Sequence, residues 1–271
     1  MPLLMGVVNV TPDSFSDGGR WSTTDAAIAH GRDLLADGAD ILDIGGESTR
    51  PGATRPLVAD EIGRVVPVIR ALVADGARVS VDTMRAEVAE QALAAGAVIV
   101  NDVSGGLADP RILDVVASSD ATYVCMHWRG HADRMQELAA YDGPGGVVAG
   151  VRDELCERVD AARAAGVPDE RMVLDPGLGF AKTARHNWTL LAGLSVLQSL
   201  GFPLLVGASR KSFLGSLLAD ADGVARPVDE REDATTALTV LLAQQRGWGI
   251  RVHEVRAARD ALRTLARYEE G

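Results

Sequence analysis

Lysine is nearly missing from this chain: of 27 basic residues only Lys182 and Lys211 are lysines, and both fall in glycine-containing loops. Aromatics are scarce as well, at 4% of 271 residues, so a hydrophobic fraction of 47% must be built mainly from Ala, Val, Leu and Ile. Such a composition excludes a disordered chain and suits a parallel sheet buried under helices. Cys125 and Cys156 form no CxxC pair and support no disulfide framework. No apolar run is long enough to span a bilayer, and MPLLMGVVNVTPDSF lacks a basic leader ahead of an apolar signal core. Both absences point to the cytoplasm and away from a membrane. Net positive charge is lacking too. A formal charge of −11 argues against a general nucleic-acid partner. It does not exclude an anionic substrate, because a local group of arginines overrides the global field.

Several familiar site signatures are also absent. There is no P-loop, no HExxH and no Cys/His spacing for structural zinc. GASRKS carries a serine but is not GxSxG, so acyl hydrolysis has no local support. No strand is followed by GxGxxG, since Gly177-Leu178-Gly179 continues into Phe180 and Ala181.

What the chain does contain is one repeated arrangement: a short apolar run that ends on a polar residue. Strands are expected over residues 3–8, 40–44, 78–81, 98–100, 122–126, 172–174, 204–206 and 250–252. Helices are expected over 24–37, 60–75, 85–95, 110–119, 147–165, 187–199, 212–219, 231–246 and 254–268, with Asp60 and Asp109 as caps. Residues 128–146 show no period. Roughly eight strand–helix units over residues 1–271 predict a single-domain TIM (β/α)8 barrel, with an open doubly wound sheet as the alternative. In a barrel the strand ends share one face. That would gather Asn9, Asp43, Asp82, Asn101, His127, Asp175, Lys211, Arg251 and His253.

The polar groups on that face imply particular chemistry. Asp82, Asn101 and Asp175 form a set of two carboxylates and an amide, which suits a ligand rich in N–H and carbonyl groups. A carboxylate accepting two adjacent N–H donors fits a 2-amino-pyrimidinone edge better than a sugar. A glycosidase acid/base pair is the competing reading and needs a separation of about 5–9 Å across the sugar. Asn9 opens a loop with Thr11, Asp13, Ser14, Ser16 and Asp17, able to carry a hard oxygen ligand and to act as a lid, with Phe15 as its anchor or cover. Thr49 and Arg50 can close around an oxyanion, whereas Arg55 reads as solvated surface. Two bases at a helix start, Arg210 and Lys211, run against the helix dipole and imply an anion there, with Ser212 adding a hydroxyl. Arg251 and His253 point the same way along an extended segment and both can address a phosphate. His127 is the weaker candidate, readily explained as a buried, hydrogen-bonded histidine.

In this order the motifs resemble those of the dihydropteroate synthases. They are NVTPDSFSDGG at 9–19, GGESTRPGA at 45–53, VDTMRA at 81–86 and NDVSGG at 101–106. MHWRG at 126–130, DPGLGFAKT at 175–183, GASRKSF at 207–213 and RVHEV at 251–255 complete the set. The resemblance spans essentially the whole chain and is nearest in wording to actinobacterial members. It implies a TIM barrel, usually a homodimer, that joins 4-aminobenzoate to 6-hydroxymethyl-7,8-dihydropterin diphosphate with Mg²⁺ and is the target of sulfonamides. Carried onto matching positions, Asp82, Asn101, Asp175 and Lys211 would hold the pterin. Asn9, Thr49, Arg50, Arg251 and His253 would hold the diphosphate, with Asn9 also touching Mg²⁺. Phe180, Pro51, Lys211 and Ser212 would frame aminobenzoate, and Asp17 would lie near the reacting carbon. The catalytic roles then fall to Asp17, Arg50, Lys211, Arg251 and His253. Ala181 stands where many relatives have glycine. Two rivals remain: a pterin-binding methyltransferase, which has no need of Arg50, Ser212, Arg251 and His253, and a non-catalytic pterin-binding protein.

Overall fold

The computed structural model describes residues 1–11, 23–47, 56–131 and 137–271. Eight parallel strands run in the spatial order β6-β5-β4-β3-β2-β1-β8-β7. They are β1 (Leu3–Asn9), β2 (Ile41–Gly45), β3 (Val79–Asp82), β4 (Ile99–Asp102), β5 (Thr122–Met126), β6 (Met172–Asp175), β7 (Leu205–Val206) and β8 (Gly249–Val252). A parallel bridge between Leu174 and Leu204 joins the two ends of that order, so the sheet closes on itself. This is a TIM barrel, and the open doubly wound alternative is ruled out.

The helices between the strands are α1 (Thr23–Ala36), α2 (Val58–Ala74), α3 (Ala86–Ala94), α4 (Arg111–Ala117) and α5 (Gly146–Ala165). After β6 come α6 (Ala184–Ala192), α7 (Leu194–Gln198), α8 (Ser212–Leu217), α9 (Glu232–Gln244) and α10 (Val255–Glu270). The expected helix over 187–199 is in fact two, broken at Gly193. A Cβ there would come within 2.8 Å of Val148 Cγ2, so glycine lets this break press close against α5. The cap expected at Asp60 also differs. α2 starts after Leu57, and Asp60 sits in its first turn without a capping role. Asp109 does cap, but across elements: its Oδ2 accepts from Ala86 N–H at the start of α3 at 3.0 Å, and its Oδ1 from Arg111 N–H at 3.3 Å.

The barrel interior explains where the site must lie. Met5, Ile41, Ile99, Val124, Val173 and Leu205 form a buried apolar layer separate from the large cluster between sheet and helices. Side chains two residues apart share a strand face. Ile41 is therefore followed by Asp43, Ile99 by Asn101 and Val173 by Asp175, all on the inward side and one step nearer the C-terminal rim. The apolar layer is a floor, and the polar residues stand on it. Such a plug fills the barrel rather than leaving a pore.

Candidate active site

At the rim, register places Asn9 opposite Gly45, Gly45 opposite Asp82, and Asp82 opposite Asn101. On the other side Met126 pairs with Asp175. Inside this ring the polar side chains are joined to one another. Arg251 donates from Nε to Asp43 Oδ2 at 2.6 Å and from NH2 to Asp82 Oδ2 at 2.9 Å. Asn101 Nδ2 donates to the same Asp43 oxygen at 3.0 Å. Asp43 is fully buried, and its Oδ1 has no hydrogen-bond partner among the described residues. Four strands thus contribute one connected group, which a guanidinium with donors in a rigid fork is suited to bridge.

Burial pushes the Asp82 carboxyl up to about 7; Arg251 opposes the rise, while Asp43, Glu61 and Glu47 add to it. Asp175 is likewise raised by burial, against the pull of Lys211, and its Oδ1 accepts from Gly177 N–H at 2.7 Å. Burial lowers the Lys211 ammonium to about 8, with Asp175 working against the fall. Lys211 Nζ donates to the Leu178 carbonyl and lies 5.0 Å from the centre of the Phe180 ring. That ring packs with Met84, Val103, Met126 and Trp128 in a small apolar cluster. A flat, amphipathic ligand would therefore meet carboxylates and an amide at its edge and apolar side chains beside its plane.

The two bases after β7 divide their labour. Arg210 takes a left-handed backbone, φ 60°, and turns outward to Glu232 at 3.2 Å and Glu254 at 2.5 Å. Lys211 turns inward. Ser212, exposed, is the first residue of α8. His253 Nδ1 is hydrogen-bonded to the Ser209 hydroxyl at 2.9 Å, and Ser209 Oγ accepts the His253 backbone N–H at 3.3 Å. Asn9 is half-buried at the end of β1. His127 is a satisfied buried residue: Nε2 lies 3.0 Å from Glu154 Oε2 and Nδ1 lies 2.9 Å from Lys182 Nζ. Burial and Lys182 bring its pKa down to about 4, so it is neutral at ordinary pH. Asp13, Ser14, Phe15, Ser16, Asp17, Thr49, Arg50, Pro51 and Arg55 lie outside the described residues.

Asp43 was among the strand-end residues expected on this face but was given no role; it stands two residues after a floor residue, as Asn101 and Asp175 do. One feature had no signal in the sequence. Glu61, fully buried on α2, accepts from Thr83 Oγ1 at 2.6 Å and lies 3.2 Å from Arg85 NH1. Arg85 also donates to the Pro56 carbonyl at 2.7 Å and is 3.7 Å from Glu47. One arginine thus reaches both flanks of the loop that follows β2.

Residues 5–253 match the family of pterin binding enzymes. A dihydropteroate synthase of Mycobacterium leprae is 53% identical over 97% of this chain and 92% of its own length. The chain belongs to the dihydropteroate synthases. Among solved structures, a Xanthomonas albilineans dihydropteroate synthase with 4-aminobenzoic acid superposes with a TM-score of 0.90 at 45% identity, covering 99% of this chain and 93% of that one. A second structure of a synthase from that organism, in complex with 7,8-dihydropteroate, gives a TM-score of 0.86 at 42% identity over 99% and 94% of the two chains. The actinobacterial wording of the motifs thus has a counterpart in the mycobacterial synthase. No described helix is long and apolar enough to cross a membrane.

Proposed function

We infer that this protein is a dihydropteroate synthase, joining 6-hydroxymethyl-7,8-dihydropterin diphosphate to 4-aminobenzoate and releasing 7,8-dihydropteroate and diphosphate. The observation that carries this reading is the connected set of Asp43, Asp82, Asn101 and Arg251 beside Asp175 and Lys211. It offers acceptors for the N–H edge of a pterin and a guanidinium at the border of that edge. We assign Asp82, Asn101, Asp175 and Lys211 to the pterin. Asn9, Thr49, Arg50, Arg251 and His253 are assigned to the diphosphate, and Pro51, Phe180, Lys211 and Ser212 to aminobenzoate.

In the reaction so read, the bond between the pterin methylene carbon and the diphosphate oxygen breaks first. Electron release from the dihydropterin ring supports the cation left behind, and Asp17 favours it electrostatically. Arg50, Arg251 and His253 stabilise the charge that collects on the leaving group. The neutral arylamine then attacks through nitrogen, and a proton is lost from the new ammonium. Phe180 and the loops after β1 and β2 keep water from competing. Asn9, half-buried at the end of β1, would hold Mg²⁺ through its carboxamide oxygen, a hard ligand suited to that ion. When bound, the ion would neutralise diphosphate charge. The whole barrel serves as one pterin-binding domain. A cytoplasmic homodimer completes the reading, and sedimentation of the purified protein checks the assembly.

The test incubates purified protein with Mg²⁺, the pterin diphosphate and aminobenzoate. Dihydropteroate and diphosphate appearing together support the reading. Binding of both substrates without either product overturns it.

A further inference from the structure

The chain's two lysines end on the same short loop. Lys182 is buried, 3% exposed, and its Nζ donates to the carbonyls of Gly177 and Phe180, each at 3.0 Å. Lys211 Nζ takes the carbonyl between them, that of Leu178. Three of four consecutive carbonyls are thus held by ammonium groups. The third partner of Lys182 is His127 Nδ1 at 2.9 Å. Glu154, on the far side of that ring, is an acceptor only and is also held by Arg129 at 2.5 Å. The His127 proton therefore lies on Nε2, and Nδ1 can only accept. Three acceptors then surround an ammonium with three N–H groups. A planar guanidinium cannot aim three donors from one atom at them.

No carboxylate is among these hydrogen-bond partners of Lys182. Burial drives its pKa well below the usual lysine range, and nearby Lys211 adds to the fall. A buried cation among neutral acceptors is costly, and the loop it ties down is the return it gives. Gly177, at φ 65°, lies so close to the His127 carbonyl that a Cβ would come within 2.1 Å of it. Gly177 N–H is on Asp175, and Phe180, three residues further along, carries the ring beside Lys211. Fixing the carbonyls at both ends of this turn fixes the distance from that ring to Asp175.

We propose that Lys182 is a positioning residue for the aminobenzoate site, acting through the Gly177 and Phe180 carbonyls to hold the Phe180 ring in place without touching substrate. The proposal rests on the reading above, in which Phe180 frames aminobenzoate.

Steady-state kinetics of the full chain with both substrates varied tests it, using Lys182→Met, Phe180→Ala and the double variant. Lys182→Met is expected to raise KM for aminobenzoate about tenfold, the low end of one lost charge-assisted bond, with KM for the pterin diphosphate within about twofold. In the Phe180→Ala background the same change should add less than about twofold, because both act on one element. An unchanged aminobenzoate KM, an equal rise in both KM values, or full additivity in the double variant would overturn the proposal. If Lys182→Met does not fold, Lys182→Gln, which keeps an N–H donor, is held to the same criteria. Failure of both to fold assigns Lys182 to stability alone and also overturns it. Absence of dihydropteroate from the unaltered protein would instead remove the functional reading, and this inference with it.

Discussion

Arg251 and Asp82, on β8 and β3 with β1 and β2 between them, meet at 2.9 Å, and the same guanidinium holds Asp43 at 2.6 Å. The residue assigned to the leaving group is thereby tied to a residue assigned to the pterin. Removing Arg251 would therefore disturb both ends of the substrate. Arg251→Ala is expected to weaken the pterin diphosphate most. It should also raise the Asp82 pKa, because the guanidinium is what holds that value down. Calorimetry with pterins carrying and lacking diphosphate checks both effects. Equal losses for the two ligands and an unmoved pH profile would contradict the assignment.

The pH dependence of pterin binding follows from two groups. Asp82, raised to about 7, must be ionised to accept N–H donors, so affinity rises with pH through that value. Lys211, lowered to about 8, must keep its proton, so affinity falls above it. Binding should peak between the two and be about sixfold weaker near pH 6 than near pH 7.5. Asp82→Asn should remove the part of the acidic limb centred near 7, leaving only what Asp175, also raised by burial, contributes, and should keep the alkaline limb. A flat profile in the unaltered protein would contradict the account.

Asp43 is predicted to organise the site. It is buried and accepts from both Arg251 and Asn101. Asp43→Ala leaves the guanidinium half compensated and Asn101 without this acceptor, and should cost roughly 3 kcal/mol in urea unfolding. Pterin affinity should fall with it. Stability within about 0.5 kcal/mol of the parent, the range of ordinary surface changes, would show that the cluster is not coupled.

Glu154 supplies an acid-labile part of the stability. Burial alone would raise its pKa, but hydrogen bonds from His127 and Arg129 outweigh that and bring it to about 2. A depressed carboxylate stabilises the fold fully above its unfolded value near 4.5, and loses that contribution as pH falls through about 2. Glu154→Gln should therefore be about 1 kcal/mol less stable at neutral pH, a modest figure because the side chain is 34% exposed. The difference should vanish near pH 2. A gap independent of pH would contradict the assignment.

The strands were legible because each apolar run stops at a polar residue, and period-two alternation carried Ile99 to Asn101 and Val173 to Asp175. Helix ends were less so. Asp60 looked like a cap, yet it is its neighbour Glu61 that turns inward, to a threonine and an arginine more than twenty residues away. Contacts of that range leave no local pattern. The same holds for Lys182, whose partner His127 lies just past β5 and is itself held by Glu154 on α5. Arg210 and Lys211 were indistinguishable as adjacent bases until a left-handed φ at Arg210 turned them apart.

The central claim is that Asp175 opens into the same pocket as Asp82 and Asn101 and reads the pterin edge there. The most direct test is the dissociation constant of a diphosphate-free pterin for the parent protein and for Asp175→Ala, measured by calorimetry at about pH 7.5. The account predicts a loss of affinity of roughly 10- to 150-fold, the worth of hydrogen bonds to a charged group. An affinity unchanged by Asp175→Ala in a folded protein would contradict it.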